Sequence, residues 1–187
     1  MYEVELKVRT DHEGLRERLE ELGAEFLGTV EQADTYYDAP HKNFAETDES
    51  LRVRREVVDG EASAVMTYKG PKLDEASKTR EEVETAVGEG DDAATIFESV
   101  GFEPAATVHK ERDRYRLGEY TITLDTVEQV GSFVEVETEA EDIDAAREGA
   151  AEIMRDMGLD PDEQIRTSYL GFLLGNEDTG DDGDAGQ

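Results

Sequence analysis

The sequence predicts an α+β fold in which antiparallel strands curl into a barrel with a charged interior and helices packed outside. Three observations lead there. Strict polar–apolar alternation recurs along the chain, as in Tyr2-Glu-Val-Glu-Leu-Lys-Val-Arg9, and that period of two marks strands. Segments of helical periodicity, each ended by glycine, separate several of these runs. Basic residues are scarce overall, yet they gather on the polar faces of the strands.

In chain order, residues 2–9 form the first strand. Asp11 is placed to cap a helix carrying Leu15, Leu19 and Leu22, ended by Gly23. Residues 24–38 are extended and finish in Asp34-Thr-Tyr-Tyr-Asp38, and Pro40 to Ser50 is a loop. Leu51–Val58 and Ala62–Lys69 make a hairpin around Asp59-Gly60, with Gly70-Pro71 stopping the second strand and Lys72–Ser77 forming a loop. Thr79–Val87 alternates again. Asp91 or Asp92 caps a short helix through Ile96, Phe97 and Val100. Thr107–Leu117 and Glu119–Val127 pair around Gly118, and Ser132–Glu139 is a further strand. Asp142 or Asp144 starts a helix closed by Gly158, and Asp160-Pro161 opens a last helix carrying Ile165, Tyr169, Leu170 and Leu173. Glu-Val-Glu recurs at 3–5, 82–84 and 135–137, each copy followed by a capped helix, which suggests a reused strand–helix unit. Residues 1–175 are read as one domain and 176–187, rich in Asp and Gly, as a disordered acidic tail.

Composition excludes several classes. The 187 residues carry 19 basic and 49 acidic side chains, a formal charge of −30. Such a surface repels phosphate backbones and anionic bilayers, so neither nucleic acid nor membrane is an expected partner. Hydrophobic residues are 36% of the chain, low for a folded protein, but their patterning argues against disorder for most of it. Cysteine is absent and the three histidines are scattered, which removes thiolate and His-cluster zinc sites. No apolar run is long enough to span a bilayer, and a cytoplasmic location is expected. Excess acid with only 6 Lys beside 13 Arg points to a salt-rich cytoplasm, where strong salt shortens carboxylate repulsion to about 3 Å at 1 M.

The strand faces carry the functional signal, because residues two apart point the same way. Lys7, Arg52, Arg54, Lys69, Arg80, Lys110 and Arg112 then share an interior with Glu3, Glu5, Asp125, Glu135 and Glu137. Seven bases against five acids is costly to enclose without a ligand. A polyphosphate carrying Mg²⁺ or Mn²⁺ meets both sets. Arg forks onto phosphate, Lys supplies point charge, and carboxylates share the cation with phosphate oxygens and water.

Glu3-Val-Glu5-Leu-Lys7 resembles the ExExK signature of the CYTH superfamily, the triphosphate tunnel metalloenzymes. Asp34-Thr-Tyr-Tyr-Asp38, Leu51-Arg-Val-Arg54, Tyr68-Lys69-Gly70-Pro71, Thr79-Arg-Glu-Glu82, Lys110-Glu-Arg112, Leu124-Asp125 and Gly131-Ser-Phe-Val-Glu135-Val-Glu137 continue the resemblance in order. It implies an eight-stranded antiparallel closed tunnel. Glu3, Glu5 and Glu135 would hold the metal, assisted by Glu137 and Asp125. Lys7, Arg52, Arg54, Lys69, Lys110 and Arg112 would hold the triphosphate, with Arg80 as a further member or a partner of Glu82. Glu3, Glu5, Lys7 and Glu135 would carry the chemistry.

Tyr-Glu-Val-Glu-Leu-Lys and the Lys-Gly-Pro step most resemble class IV adenylyl cyclases, which implies conversion of ATP to cyclic AMP and pyrophosphate. Two other functions fit the same residues: hydrolysis of inorganic or thiamine triphosphate, and binding of nucleotide or polyphosphate without turnover. The chain is expected to act as a monomer or homodimer.

Overall fold

Alternation along the chain becomes a division between the inside and outside of a closed sheet. β1 (Tyr2–Arg9) shows how. Its Val4, Leu6 and Val8 lie on one face and are at most 3% exposed, while Glu5 and Lys7 on the other face are 8% and 0% exposed. A strand buried on both faces, with charge on only one, fits the wall of a barrel whose outside is covered.

The structure is a computed structural model and describes residues 2–73 and 80–175. After β1 come α1 (Leu15–Glu21), β2 (Glu25–Asp38), β3 (Ser50–Val58), β4 (Glu61–Lys72), β5 (Arg80–Val87) and α2 (Gly90–Ser99). They are followed by β6 (Glu103–Leu117), β7 (Tyr120–Val127), β8 (Gly131–Ala140), α3 (Ile143–Asp156), a one-turn 3-10 helix (Pro161–Glu163) and α4 (Tyr169–Leu173). All pairings are antiparallel and the ring closes in the order β1-β5-β4-β3-β2-β6-β7-β8. Closure removes the exposed strand edges that invite aggregation. Exchanging β1–β4 with β5–β8 leaves that ring order unchanged, so the barrel is built from two β-α-β-β-β units. The Glu-Val-Glu copies at 3–5 and 82–84 sit on the equivalent strands β1 and β5, and the third lies on β8. Both β5 and β8 pair with β1.

The helices cover the apolar outside. α1 and α3 pack Leu15, Leu19, Ala150, Ile153 and Met154 against Leu6, Val8, Ile122, Leu124, Val134 and Val136. Leu19 and Met154 are fully buried, which contributes about 1.5–3 kcal/mol each. α2 covers Val53 and Tyr37 with Ala93 and Ala94. The β3–β4 turn places Asp59 and Gly60 at φ 51° and 82°, the paired positive values that a two-residue hairpin turn requires.

Several local expectations are corrected. Gly70-Pro71 does not end β4, which runs to Lys72 through an irregularity between Lys69 and Lys72. Lys72 is therefore strand rather than loop, while Asp74 to Thr79 lie outside the described residues. The helix caps also differ. α1 has Gly14 at its N-cap, and Asp11 instead accepts from the Glu13 amide. α2 starts from Glu89 with no side-chain cap, leaving Asp91 and Asp92 in its first turn. Of the two candidates for α3, Asp142 is the cap and accepts from the Ala145 amide. Asp160-Pro161 opens only the 3-10 turn. The segment then straightens, and Ser168 caps α4 separately. The proposed tail, 176–187, lies outside the described residues.

Candidate active site: a charged tunnel

Cross-strand register decides which interior charges meet. β1 and β8 pair so that Glu5 lies opposite Glu137 and Lys7 opposite Glu135. Like charges opposite one another repel, and Glu3 adds a third carboxylate to the first pair. One oxygen from each of Glu3, Glu5 and Glu137 can be chosen so that all lie within 4.8 Å of one another. Burial, with Glu3 close by, pushes the Glu137 carboxyl up to about 8. Glu3 is also raised by burial, against the pull of Lys69.

The bases line the remaining wall, each already held by carboxylate. Lys69 donates to Glu3 at 2.7 Å and pairs with Glu82 at 2.8 Å. Burial lowers Lys69, but Glu3 and Glu82 help lift it above its usual value. Arg54 forks onto Asp34 at 2.7 and 2.8 Å, and Arg52 and Lys110 reach the same carboxylate at 3.4 and 3.1 Å. Burial works against ionised Asp34, yet Lys110, Arg52 and Arg54 hold it well below the usual carboxylate range. Burial and the nearby Arg112 bring Lys110 down to about 7. Arg112 forks onto Asp125 at 2.9 and 2.5 Å and reaches Glu135 at 2.9 Å.

These side chains enclose a cavity of about 890 Å³ whose lining includes Glu3, Glu5, Glu135 and Glu137 opposite Arg52, Arg54, Lys69, Arg80, Lys110 and Arg112. Two expected members are missing from that wall. Lys7 and Asp125 are fully buried at a stopper that closes one end of the barrel. There the inward faces turn apolar: Val108, Val127 and Phe133 meet Tyr169. Lys7 donates to the Thr167 carbonyl at 2.6 Å, and its Nζ lies 4.2 Å from the Tyr169 ring centroid. Asp125 accepts from Tyr169 Oη at 2.7 Å as well as from Arg112. The inward charge balance also changes, since the cavity wall carries eight basic and ten acidic residues.

Asp34, Glu82, Lys72 and Asp48 were not among the expected site residues. Asp34 was legible in principle, because Gln32, Asp34 and Tyr36 alternate on one face of β2. Asp48 comes from a loop and leaves no such periodic signal. It accepts from the Lys72 amide and ammonium at 2.9 and 3.2 Å, while its carbonyl accepts from Arg80 at 3.1 Å. Arg80 also donates to the Gly70 carbonyl at 3.0 Å, which ties this arginine to the tunnel rim. The sequence left open a pairing of Arg80 with Glu82, but Glu82 pairs with Lys69.

The donor set suits a hard divalent cation. Three carboxylates converge without a thiolate or imidazole among them, and oxygen-only ligation is the preference of magnesium and manganese. Burial raises Glu3 and Glu137, and a cation between these carboxylates would favour their charged forms. Glu3, Glu5 and Glu137 form this cluster, whereas Glu135 is drawn to Arg112.

A family model described as CYTH domain matches residues 1–169. A protein of Methanocaldococcus jannaschii with the name "Putative adenylate cyclase MJ0240" is 37% identical over 174 residues, covering 91% of this chain and 97% of its own. The solved structure of the PH1819 protein from Pyrococcus horikoshii superposes with a TM-score of 0.85 at 37% identity, over 94% of this chain and 99% of that one. A Hippeastrum protein, described as a putative adenylyl cyclase with a dominant triphosphatase activity, shares the fold at a TM-score of 0.66 and 18% identity, over 94% and 96% of the two chains.

Proposed function

This chain belongs to the CYTH domain family, and from that premise we propose that it is a metal-dependent enzyme converting ATP to cyclic AMP and pyrophosphate. The observation that carries the reading is the opposition, in one cavity, of the Glu3–Glu5–Glu137 cluster to Arg52, Arg54, Lys69, Lys110 and Arg112. Carboxylates alone would exclude a triphosphate, and bases alone would need no acidic cluster.

In this reading Glu3, Glu5 and Glu137 hold Mg²⁺ or Mn²⁺, with Glu135 beside them on Arg112. When bound there, the cation would supply Lewis acidity to the phosphate chain and ease ionisation of the ribose 3′ hydroxyl. Arg52, Arg54 and Lys110 hold the β- and γ-phosphates and neutralise charge gathering on the leaving pyrophosphate. The 3′ oxygen bonds to the α-phosphorus as its bridge to the β-phosphate breaks, and the hydroxyl proton passes to water. Lys69, poised on Glu3 and Glu82, keeps the base row and the acidic cluster in register. Lys7 and Asp125 act from beneath, Asp125 by holding the Arg112 fork. Arg80 acts at the rim through Asp48.

The same cradle suits a water nucleophile, and the fold-level likeness to the Hippeastrum protein keeps triphosphate hydrolysis as the second reading. Incubation with ATP and magnesium or manganese at high potassium chloride, with products identified by mass, decides between them. Equal yields of cyclic AMP and pyrophosphate support the cyclase. Orthophosphate without cyclic AMP assigns the hydrolase, and binding without product assigns a sensor.

A further inference from the structure

The stopper carries one polar contact that its apolar packing does not require. Tyr169 is buried in the cluster of Val108, Val127 and Phe133, with its ring centroid 4.9 Å from that of Phe133. Its hydroxyl nevertheless ends on a charge, donating to Asp125 Oδ2 at 2.7 Å across 44 positions of chain. An ionised carboxylate only accepts, so the direction of this bond is fixed. The segment that presents Tyr169 is anchored separately. The Ile165 amide donates to the Lys7 carbonyl at 2.7 Å, and Ser168 caps α4 by accepting from the Gly171 amide at 3.0 Å.

Asp125 is the group that aims Arg112. Arg112 Nε donates to Asp125 Oδ1, and Nη2 donates to Oδ2, the oxygen that also accepts from Tyr169. Nη2 reaches Glu135 as well. These bonds leave over Nη1, on a side chain that lines the cavity. A guanidinium is planar, so a fork onto one carboxylate fixes its plane and with it the direction of Nη1. The carboxylate itself sits in a broad torsional well and turns with little resistance unless a further partner holds it. Asp125 is fully buried, and the Tyr169 hydroxyl is the partner that comes from outside the β6–β7–β8 wall.

We propose that Tyr169 is a positioning residue of the tunnel: its hydroxyl holds the Asp125 carboxylate, and through it the plane of Arg112, so that Nη1 meets the charge developing on the phosphate chain. The proposal rests on the triphosphate reading above and extends the working site to the C-terminal segment. Tyr169 acts through Asp125 and Arg112, not on the substrate. Arg52, Arg54 and Lys69 make no use of this bond and keep their hold on the ground-state triphosphate. Loss of the hydroxyl therefore falls on the step in which charge gathers on the leaving group.

Two readouts on the full chain test this. The first is solvent exchange of the Arg112 Nε proton in spectra of nitrogen-labelled arginine side chains, its signal identified by its absence in Arg112→Lys. Tyr169→Phe keeps the ring and should speed that exchange about tenfold, the effect of losing one hydrogen bond to a charged group. Phe172, whose ring lies 5.8 Å from Phe133 in the same stopper, supplies the contrast. Phe172→Leu removes a ring but no hydrogen bond to Asp125, so it should lower the thermal midpoint and leave the exchange within about twofold of the parent. The second readout is turnover of ATP with magnesium. Tyr169→Phe should lower kcat about tenfold with KM within about twofold, and should cause no further loss when added to Arg112→Lys. Unchanged exchange in Tyr169→Phe overturns the proposal, as does equal acceleration in Phe172→Leu or the same fold loss of kcat in the Arg112→Lys background. A parent chain that yields neither cyclic AMP nor orthophosphate ends the enzyme reading instead, and the exchange measurement then decides the positioning by itself.

Discussion

The Lys110 ammonium and the Asp34 carboxylate meet at 3.1 Å, and neither side chain is more than 4% exposed. They belong to β6 and β2, 76 positions apart in the chain. Lys110 is nevertheless a weakened cation, because burial and Arg112 bring it to about 7 despite Asp34.

A pH dependence follows. Below pH 7 Lys110 is charged in the folded protein, and above it the folded chain releases this proton while an unfolded chain keeps it to about pH 10.5. The unfolded state then binds more protons, so this group's contribution to stability rises with pH between about 7 and 10.5. Ligand affinity moves the other way, since a bound triphosphate favours charged Lys110. Affinity should fall as pH rises from 7 to 9, and Lys110→Arg should flatten the decline. Calorimetric titrations at fixed magnesium and salt measure both slopes.

Asp34 is the shared counter-ion of Arg52, Arg54 and Lys110. Asp34→Asn leaves those buried cations without it, and removing one partner of a buried pair costs about 3–5 kcal/mol. Urea unfolding in high potassium chloride should show a loss of that order. The Asp34→Ala variant should be no milder.

Within the acidic cluster, Glu3→Gln and Glu5→Gln should each lower turnover about a hundredfold or more, with loss of metal affinity in direct titration. Glu135→Gln should weaken metal binding less, because Glu135 is engaged by Arg112. Unchanged turnover in Glu3→Gln would remove the metal assignment.

The charge of −30 predicts the response to salt. Repulsion among exposed carboxylates destabilises the fold until screened, so the thermal midpoint should climb as potassium chloride goes from 0.1 to 2 M, a range chosen to shorten the screening length from about 10 Å to below 3 Å. Triphosphate affinity should decline little over the same range if contacts inside the tunnel carry it. A steep decline would place the binding charge on the open surface.

Much of the tunnel is legible in the sequence, for a local reason. Successive side chains of a strand point to opposite faces, so Glu3-Val-Glu5 or Arg52-Val-Arg54 declares its charged face whatever it pairs with. The helix signals of the Asp160-Pro161 segment are equally local, whereas the break before Ser168 accompanies Ile165 donating to the Lys7 carbonyl at 2.7 Å, a contact far away in sequence. Asp48 sits in an aperiodic loop that carries no facing pattern.

The residues by themselves determined the alternation and the ionic composition of the inward faces, on which the proposed chemistry of phosphate and hard cation rests. Only closure of the barrel decided which charges touch. Register across β1 and β8 put Glu137, rather than Glu135, beside Glu5, and the apolar stopper took Lys7 and Asp125 off the cavity wall. Facing is set by covalent geometry one residue at a time, whereas register is set jointly by the strands that must hydrogen-bond around a full turn of the sheet.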